Sequence, residues 1–150
     1  MANADNPNGF KPYSASPRVT AYTATDTITA GDLLKMHTDG KLKVHDNADA
    51  VAVGVAATSA GANETVYVYD DPTTIFIGQC SGTYQDSDEG GALVDVEGTT
   101  GQQQVDENGT TRKILRILRQ EFVPGSMESH SGNERVLFTI SEHMLGSLHS

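Results

Sequence analysis

From Arg18 onward the chain is cut by Gly, Asp and Asn into runs of five to seven residues rich in Thr, Val, Ile and Tyr, with a turn signal roughly every ten residues. A helix needs an apolar stripe carried over at least ~10–12 residues, so punctuation this frequent leaves strands and tight turns as the main conformations open to the chain. Arg18 to Tyr22 and Asp32 to Met36 read as strands. His37-Thr38-Asp39-Gly40 supplies an Asp-Gly turn feeding Lys41 to His45, so Leu33 to Val44 is expected as a hairpin. After the loop Asp46-Asn47-Ala48-Asp49 comes an apolar strand, Val51 to Ala57, in which Gly54 permits a bulge or a close backbone approach. In Glu64 to Tyr69, Val66 and Val68 alternate with Thr65, Tyr67 and Tyr69 across two faces. Asp70-Asp71-Pro72 ends that strand; Thr74 to Cys80 follows, with Ile75, Ile77 and Cys80 pointing inward. Ala92 to Val96 and Val136 to Ile140 complete the set, and Thr99 to Gln104 reads as loop. The fold class expected is mainly β, a small antiparallel sandwich or barrel-like domain.

One segment is ambiguous. Ile114, Leu115, Ile117, Leu118 and Phe122 share one helical face, with Arg112, Arg116 and Arg119 on the other. The periodicity of 112–122 points to helix, whereas its position between the Asn108-Gly109 turn and Pro124, ahead of a clear strand, points to strand. Residues 1–17 differ in kind from the rest. Prolines at 7, 12 and 17 exclude helix and favour extended or polyproline-like backbone, with Phe10 and Tyr13 standing between them. This stretch lacks the apolar mass to order itself. It reads as a docking arm whose Pro7, Phe10, Pro12, Tyr13 and Pro17 meet a partner, the alternative being a loose terminal tail. With 150 residues in all, the remaining 18–150 form a single β-rich domain.

Charge narrows the partners. Ten Lys and Arg against twenty Asp and Glu leave a net charge of −10, which repels a phosphate backbone and argues against nucleic acid. No cation occurs between Val44 and Thr111, a stretch carrying twelve acids, so part of the surface is strongly anionic. A solvated, solubilising face is the simplest use of it, and Arg112, Lys113, Arg116 and Arg119 are expected to balance it by pairing. The longest apolar run, Val51 to Ala57, is far short of the ~20 residues that span a bilayer, so no membrane is expected. Met1 to Asp5 has neither basic residues nor an apolar stretch, and no secretory signal is read there. A lone cysteine, Cys80, leaves no internal disulfide and no multi-cysteine zinc site.

Catalytic templates are absent: there is no Gly-x-Ser-x-Gly elbow, no Gly-rich phosphate loop and no His-Glu-x-x-His helix. His37, His45, His130, His143 and His149 lie in or beside turns and the tail and are expected to be exposed, and Cys80 is expected to be buried filler. Neither an enzyme nor a cofactor is expected. The sharpest motif is Asp86 to Glu97, which matches much of a twelve-residue calcium loop: Asp86 and Asp88 at positions 1 and 3, Gly91 at 6 and Glu97 at 12. Gly90 removes the ligand at position 5 and neither flank reads as helix, so an acidic turn before a short strand is the simpler reading. Asn63-Glu64-Thr65 and Asn108-Gly109-Thr110 are sequons in spelling.

The order of features from Ala30 to Ile77 carries a resemblance. Ala30-Gly31-Asp32-Leu33-Leu34-Lys35-Met36, a turn, Gly40-Lys41-Leu42-Lys43-Val44, an acidic loop, Ala52-Val53-Gly54-Val55-Ala56, and then Thr65-Val66-Tyr67-Val68-Tyr69 with an exit strand resembles the lambda-type head decoration proteins of tailed bacteriophages. It covers about a third of the chain. Gly9-Phe10-Lys11-Pro12 also looks like the N-terminal arms of tailed-phage head proteins. The resemblance implies a tulip-like β domain that clusters with copies of itself, as a homotrimer, on the outer capsid surface of the virion. Its arm would add to a sheet of the major capsid protein, and its role would be structural head stabilisation. A second expectation, from another class, is a calcium-assisted or carbohydrate-binding β module on a virion or cell surface, motivated by Asp86 to Glu97 and by Tyr67, Tyr69 and Tyr84.

Overall fold

The computed structural model describes residues 8–13, 17–47, 51–81, 91–120 and 135–143. Within them are eleven strands and no helix: β1 (Lys11–Pro12), β2 (Val19–Thr23), β3 (Leu33–Met36), β4 (Leu42–Val44), β5 (Gly54–Ala56), β6 (Thr65–Tyr69), β7 (Phe76–Gln79), β8 (Leu93–Glu97), β9 (Gln104–Asp106), β10 (Leu115–Gln120) and β11 (Arg135–Ile140). They form two antiparallel sheets, one in the order β1-β7-β11-β10-β8-β9 and one in the order β2-β6-β5-β3-β4. Each sheet also curls, the smaller until its end strands touch and the larger until the strand next to its β1 edge reaches β9. Cys80, just past β7, bridges Val105 of β9, and Ala24, just past β2, bridges Leu42 of β4, both in parallel sense. The β-rich sandwich with barrel-like curvature therefore holds.

Two apolar cores follow from that curling. Phe76, Val94, Val96, Val105, Leu115, Ile117, Val136, Phe138 and Ile140 fill the larger sheet, joined by Leu33 and Val55 from the smaller one and by Ala52, which precedes β5. Leu34, Leu42, Val53, Ala56, Val66 and Val68 form the second core with Ala24, Ile28 and Ala60. Successive side chains of a strand point to opposite faces, so β3 and β5 serve both: Leu33 and Val55 enter one core, Leu34 and Ala56 the other. That double burial is why Val51 to Ala57 reads as an unbroken apolar run rather than an alternating one. Gly54 belongs where it is because a Cβ there would run into the Tyr69 carbonyl of β6.

The Asp-Gly hairpin appears as β3 and β4, with Leu34 opposite Val44 and Met36 opposite Leu42. Of the ambiguous segment, the described part from 115 to 120 is a strand. β10 pairs with β11 on one side and β8 on the other, and its register slips between Ile117 and Arg119. The extra residue of that bulge breaks strict alternation and produces the helix-like spacing of the apolar residues. Three details differ from expectation. In β7, Phe76 rather than Ile75 faces the core, and Ile77, though buried, lies on the opposite face. Gln104, read as the end of the loop from Thr99, opens β9 (Gln104–Asp106), placed by the single inward residue Val105. His45 and His143 are fully buried instead of exposed.

Polar side chains tie the two sheets together. The buried Gln103 accepts from the Leu33 N–H through Oε1 at 2.5 Å and donates from Nε2 to the His45 carbonyl at 2.6 Å. The buried Asp32 carboxylate accepts from the Thr29 N–H at 2.8 Å, the Gly101 N–H at 2.7 Å and the Thr100 hydroxyl at 2.6 Å. Burying an amide or a carboxylate is tolerable only with such full partnering.

Candidate functional site

The N-terminal segment was expected to reach outward, and its described part does the reverse. Gly9 and Gly31 adopt left-handed φ angles of 82° and 98° and lie against one another with no room for a Cβ on Gly9. The Gly9 N–H donates to the Gln103 carbonyl at 3.0 Å, the Phe10 N–H to Gly31 at 2.8 Å and the Tyr13 N–H to Ile75 at 2.7 Å. Between these bonds β1 pairs with β7, Lys11 opposite Ile77 and Pro12 opposite Phe76. Phe10 is 2% exposed and meets Phe138 edge-on, ring centroids 4.9 Å apart. Gly78 makes the slot, since a Cβ there would strike the Phe10 ring.

Phe10 is therefore a core residue of its own chain and not, as the sequence suggested, a side chain presented to a partner. The sequence shows an aromatic in a proline-rich leader; it does not show the glycine across the sheet that receives it. Pro12 is likewise engaged in β1, and Pro17 is half-buried. Tyr13, 51% exposed, is the member of the set that the fold presents to solvent, and Pro7 lies outside the described residues.

A second surface was not singled out from sequence. In β2 and β6, Ala21 stands opposite Tyr67 and Thr23 opposite Thr65. Together with Val19 these residues are exposed, Val19 at 46% and Tyr67 at 48%. Among the described residues of β2 and β6 no charged side chain interrupts this face, on a chain whose net charge is −10. The alternate residues of β2 turn the other way and hold it in place. Thr20 Oγ1 and the Tyr22 hydroxyl donate to the buried Asp70 carboxylate at 2.9 and 2.7 Å, and Arg18 Nε at 3.0 Å. Burial pushes the Asp70 carboxyl up, but the donors Tyr22, Arg18 and Thr20 together outweigh it and hold the group below the usual carboxylate range. Burial, then the hydrogen bond to Asp70, pushes Tyr22 up to about 12. Burial lowers His143, with Asp70 and Asp71 pulling the other way and Arg18 adding to the lowering.

Of the calcium-loop residues, Asp86 and Asp88 lie outside the described residues, and Glu97 is exposed at the end of β8. Among the described residues no three His, Cys, Asp or Glu side chains are grouped to hold a metal ion. The buried Asp95 in this stretch accepts from the N–H groups of Thr111, Arg112 and Lys113 at 2.9, 2.8 and 2.7 Å. Burial raises that carboxyl and the three N–H donors more than reverse the effect. The neighbouring acid thus meets Arg112 and Lys113 through their backbone. The ion pairs of Arg18 with Asp70 and of Lys35 with Asp46 instead draw on cations from before the acidic stretch. Comparison with protein-family models finds no match, and no curated protein matches the chain.

Proposed function

We propose that the chain is a non-catalytic head decoration protein of the lambda type, bound to the outer surface of a phage head and bridging neighbouring major capsid proteins. One observation carries the reading. Of the residues of the resemblance, from Ala30 to Ile77, those as far as Tyr69 make β3 to β6, four neighbouring strands of one sheet that share the second core, while the exit strand falls at β7 in the other sheet; over those four strands the likeness follows a packed unit rather than a scatter of positions. An uncharged sheet face on a strongly acidic chain adds support, because it is where a large partner can approach without opposing charge. In this reading Tyr13 and the face formed by Val19, Ala21 and Tyr67 carry docking, and the acidic remainder stays in solvent. Copies cluster as trimers, and many modest contacts per shell sum to a large barrier against separating capsid subunits.

Heads assembled without this protein, expanded and mixed with it, provide the test. Bound copies per head are counted after sedimentation, for wild type, Tyr67→Glu, Tyr13→Ala and a form lacking residues 1–8, which leaves the Phe10 slot filled. Loss of binding in Tyr67→Glu with the domain still folded supports the reading. Wild-type protein that stays in the supernatant at every concentration overturns it.

A further inference from the structure

The edge of a sheet presents a row of main-chain donors and acceptors, and folded proteins blunt such rows with prolines, charges, bulges, short strands or closure. Three of the four edges of the two sheets are blunted in these ways. β1 is a two-residue strand made of Lys11 and Pro12. β9 is covered where Val105 bridges Cys80, and its Val105 carbonyl accepts from the Ser81 N–H at 2.8 Å. β4 carries Lys43 and meets Ala24 through Leu42, whose carbonyl accepts from the Thr25 N–H at 2.8 Å. β2 is the remaining edge. It runs from Val19 to Thr23 with no proline, no charged side chain and an unbroken register against β6, and its closure onto β4 begins only at Ala24.

The hydrogen-bond pattern fixes which way each residue of β2 faces. Along an antiparallel strand, residues whose N–H and C=O point at the partner alternate with residues whose groups point away. Ala24 donates its N–H to the Glu64 carbonyl at 2.9 Å, and Tyr67 turns its carbonyl away from β2 to accept from the Ala57 N–H at 2.7 Å. With Ala21 opposite Tyr67, the main-chain groups of Thr20 and Tyr22 go to β6, and those of Val19, Ala21 and Thr23 point out from the edge of the sheet. Thr25, next in that odd-numbered row, does send its N–H to the outer side. Among the described residues no hydrogen bond reaches the outward groups of Val19, Ala21 or Thr23. The strand is held from behind, since Arg18, Thr20 and Tyr22 all donate to Asp70, so the edge needs little ordering before it pairs.

We propose that this edge pairs with the same edge of a second copy, antiparallel about a twofold axis at Ala21. That register sets Val19 of each chain opposite Thr23 of the other and Ala21 opposite itself, so the outward N–H and C=O groups all find partners. It also lays β-branched Val19 and Thr23 side by side, which suits a pleated surface, and keeps the smallest side chain of the strand at the axis. A foreign peptide would gain the same main-chain bonds, but β2 has no charged side chain to select it, whereas the twofold register is specified by β2 itself. Chains of net charge −10 repel one another, so an uncharged strip is where two of them can touch, and pairing strengthens as salt screens the remainder. The inference is independent of the decoration reading, since it concerns the edge of β2 in the free protein rather than the face shared with Tyr67 or clustering on a head.

Full-length protein sedimented at concentrations up to millimolar, with amide hydrogen exchange read residue by residue in dilute and concentrated samples, provides the test. The expected result is a mass that rises from one chain to two, more readily at higher salt. The amides of Val19, Ala21 and Thr23 should exchange fast when dilute and slow about tenfold or more when concentrated, whereas Thr20 and Tyr22 stay protected throughout. Ala21→Pro removes only an outward N–H, and Ala21→Lys opposes like charges at the axis; each is expected to weaken pairing about tenfold or more while Thr20 and Tyr22 remain protected. Tyr67→Glu, one strand in from the edge, is expected to pair as wild type does, which separates edge pairing from stacking through the exposed face. A single-chain mass at every concentration, assembly into three copies, fast exchange of the odd-numbered amides in the paired form, undiminished pairing in either Ala21 variant, or loss of pairing in Tyr67→Glu would overturn the proposal.

Discussion

Phe10 enters the larger core edge-on to Phe138 through the space that Gly78 leaves, and a residue so placed is part of the fold's foundation. Phe10→Ala is expected to destabilise the protein by about 3–5 kcal/mol in urea unfolding, the usual range for emptying an aromatic site. Gly78→Ala should cost about 1–3 kcal/mol by pushing a methyl into the same ring. If residues 9–13 were only loosely laid on the surface, both variants would melt with wild type. Tyr22 makes a second prediction at this scale. Its hydroxyl donates to Asp70, and its pKa of about 12 lies above the ordinary 10.0. An unfolded chain sheds this proton near pH 10 while the folded one keeps it, so stability falls as pH rises from 10 towards 12. Ultraviolet titration should show one tyrosine ionising late, and Tyr22→Phe should remove it together with that part of the alkaline loss.

At the scale of elements, the attachment of β2 to β6 depends on Asp70 and its three donors, with His143 from the end of β11 in the same electrostatic neighbourhood. Both acidic shifts act in one direction. His143 has a folded pKa below 6.5, so the unfolded chain takes up its proton first, and stability declines as pH drops below 6.5. Asp70 has a folded pKa below 3.8, so its contribution is intact above 3.8 and is lost as pH falls through the folded value. Thermal melts should therefore show two steps on the acid side, with His143→Gln removing the upper and Asp70→Asn the lower. Asp70→Asn should in addition lower stability by about 1–3 kcal/mol at neutral pH, since a charged acceptor of three hydrogen bonds is replaced. A single transition, unchanged by either substitution, would contradict this account. β10 shows how element type can be hidden in sequence: the bulge after Ile117 sets Leu118 directly beside it, and Ile114, buried just before the strand begins, sits beside Leu115, so together they imitate a helical stripe. By contrast β6 was plain to read, because Val66 and Val68 alternate cleanly with Thr65 and Tyr67.

For the molecule as a whole, the ties between sheets matter more than either sheet alone. Gln103→Leu would leave the Leu33 N–H and the His45 carbonyl without their partner, and about 1–3 kcal/mol of destabilisation is expected in chemical denaturation. Much of this architecture is local in origin. The strand runs, the Asp-Gly hairpin and the two-faced pattern of β6 follow from side-chain alternation and turn chemistry within about ten residues, and those rules act wherever the segment sits. Tertiary structure alone decided the rest: which strands join which sheet, the closure of β7 onto β9 and β2 onto β4, the burial of His45 and His143, and the turning inward of Phe10. Each depends on groups far apart in the chain, as Leu33 and Gln103 are by 70 positions, and a distant partner leaves no period or spacing in the sequence around the residue it will meet. The exposed face of β2 and β6 is of the same kind: Ala21 and Tyr67 are ordinary strand residues until pairing of β2 with β6 sets them opposite one another on one uncharged surface.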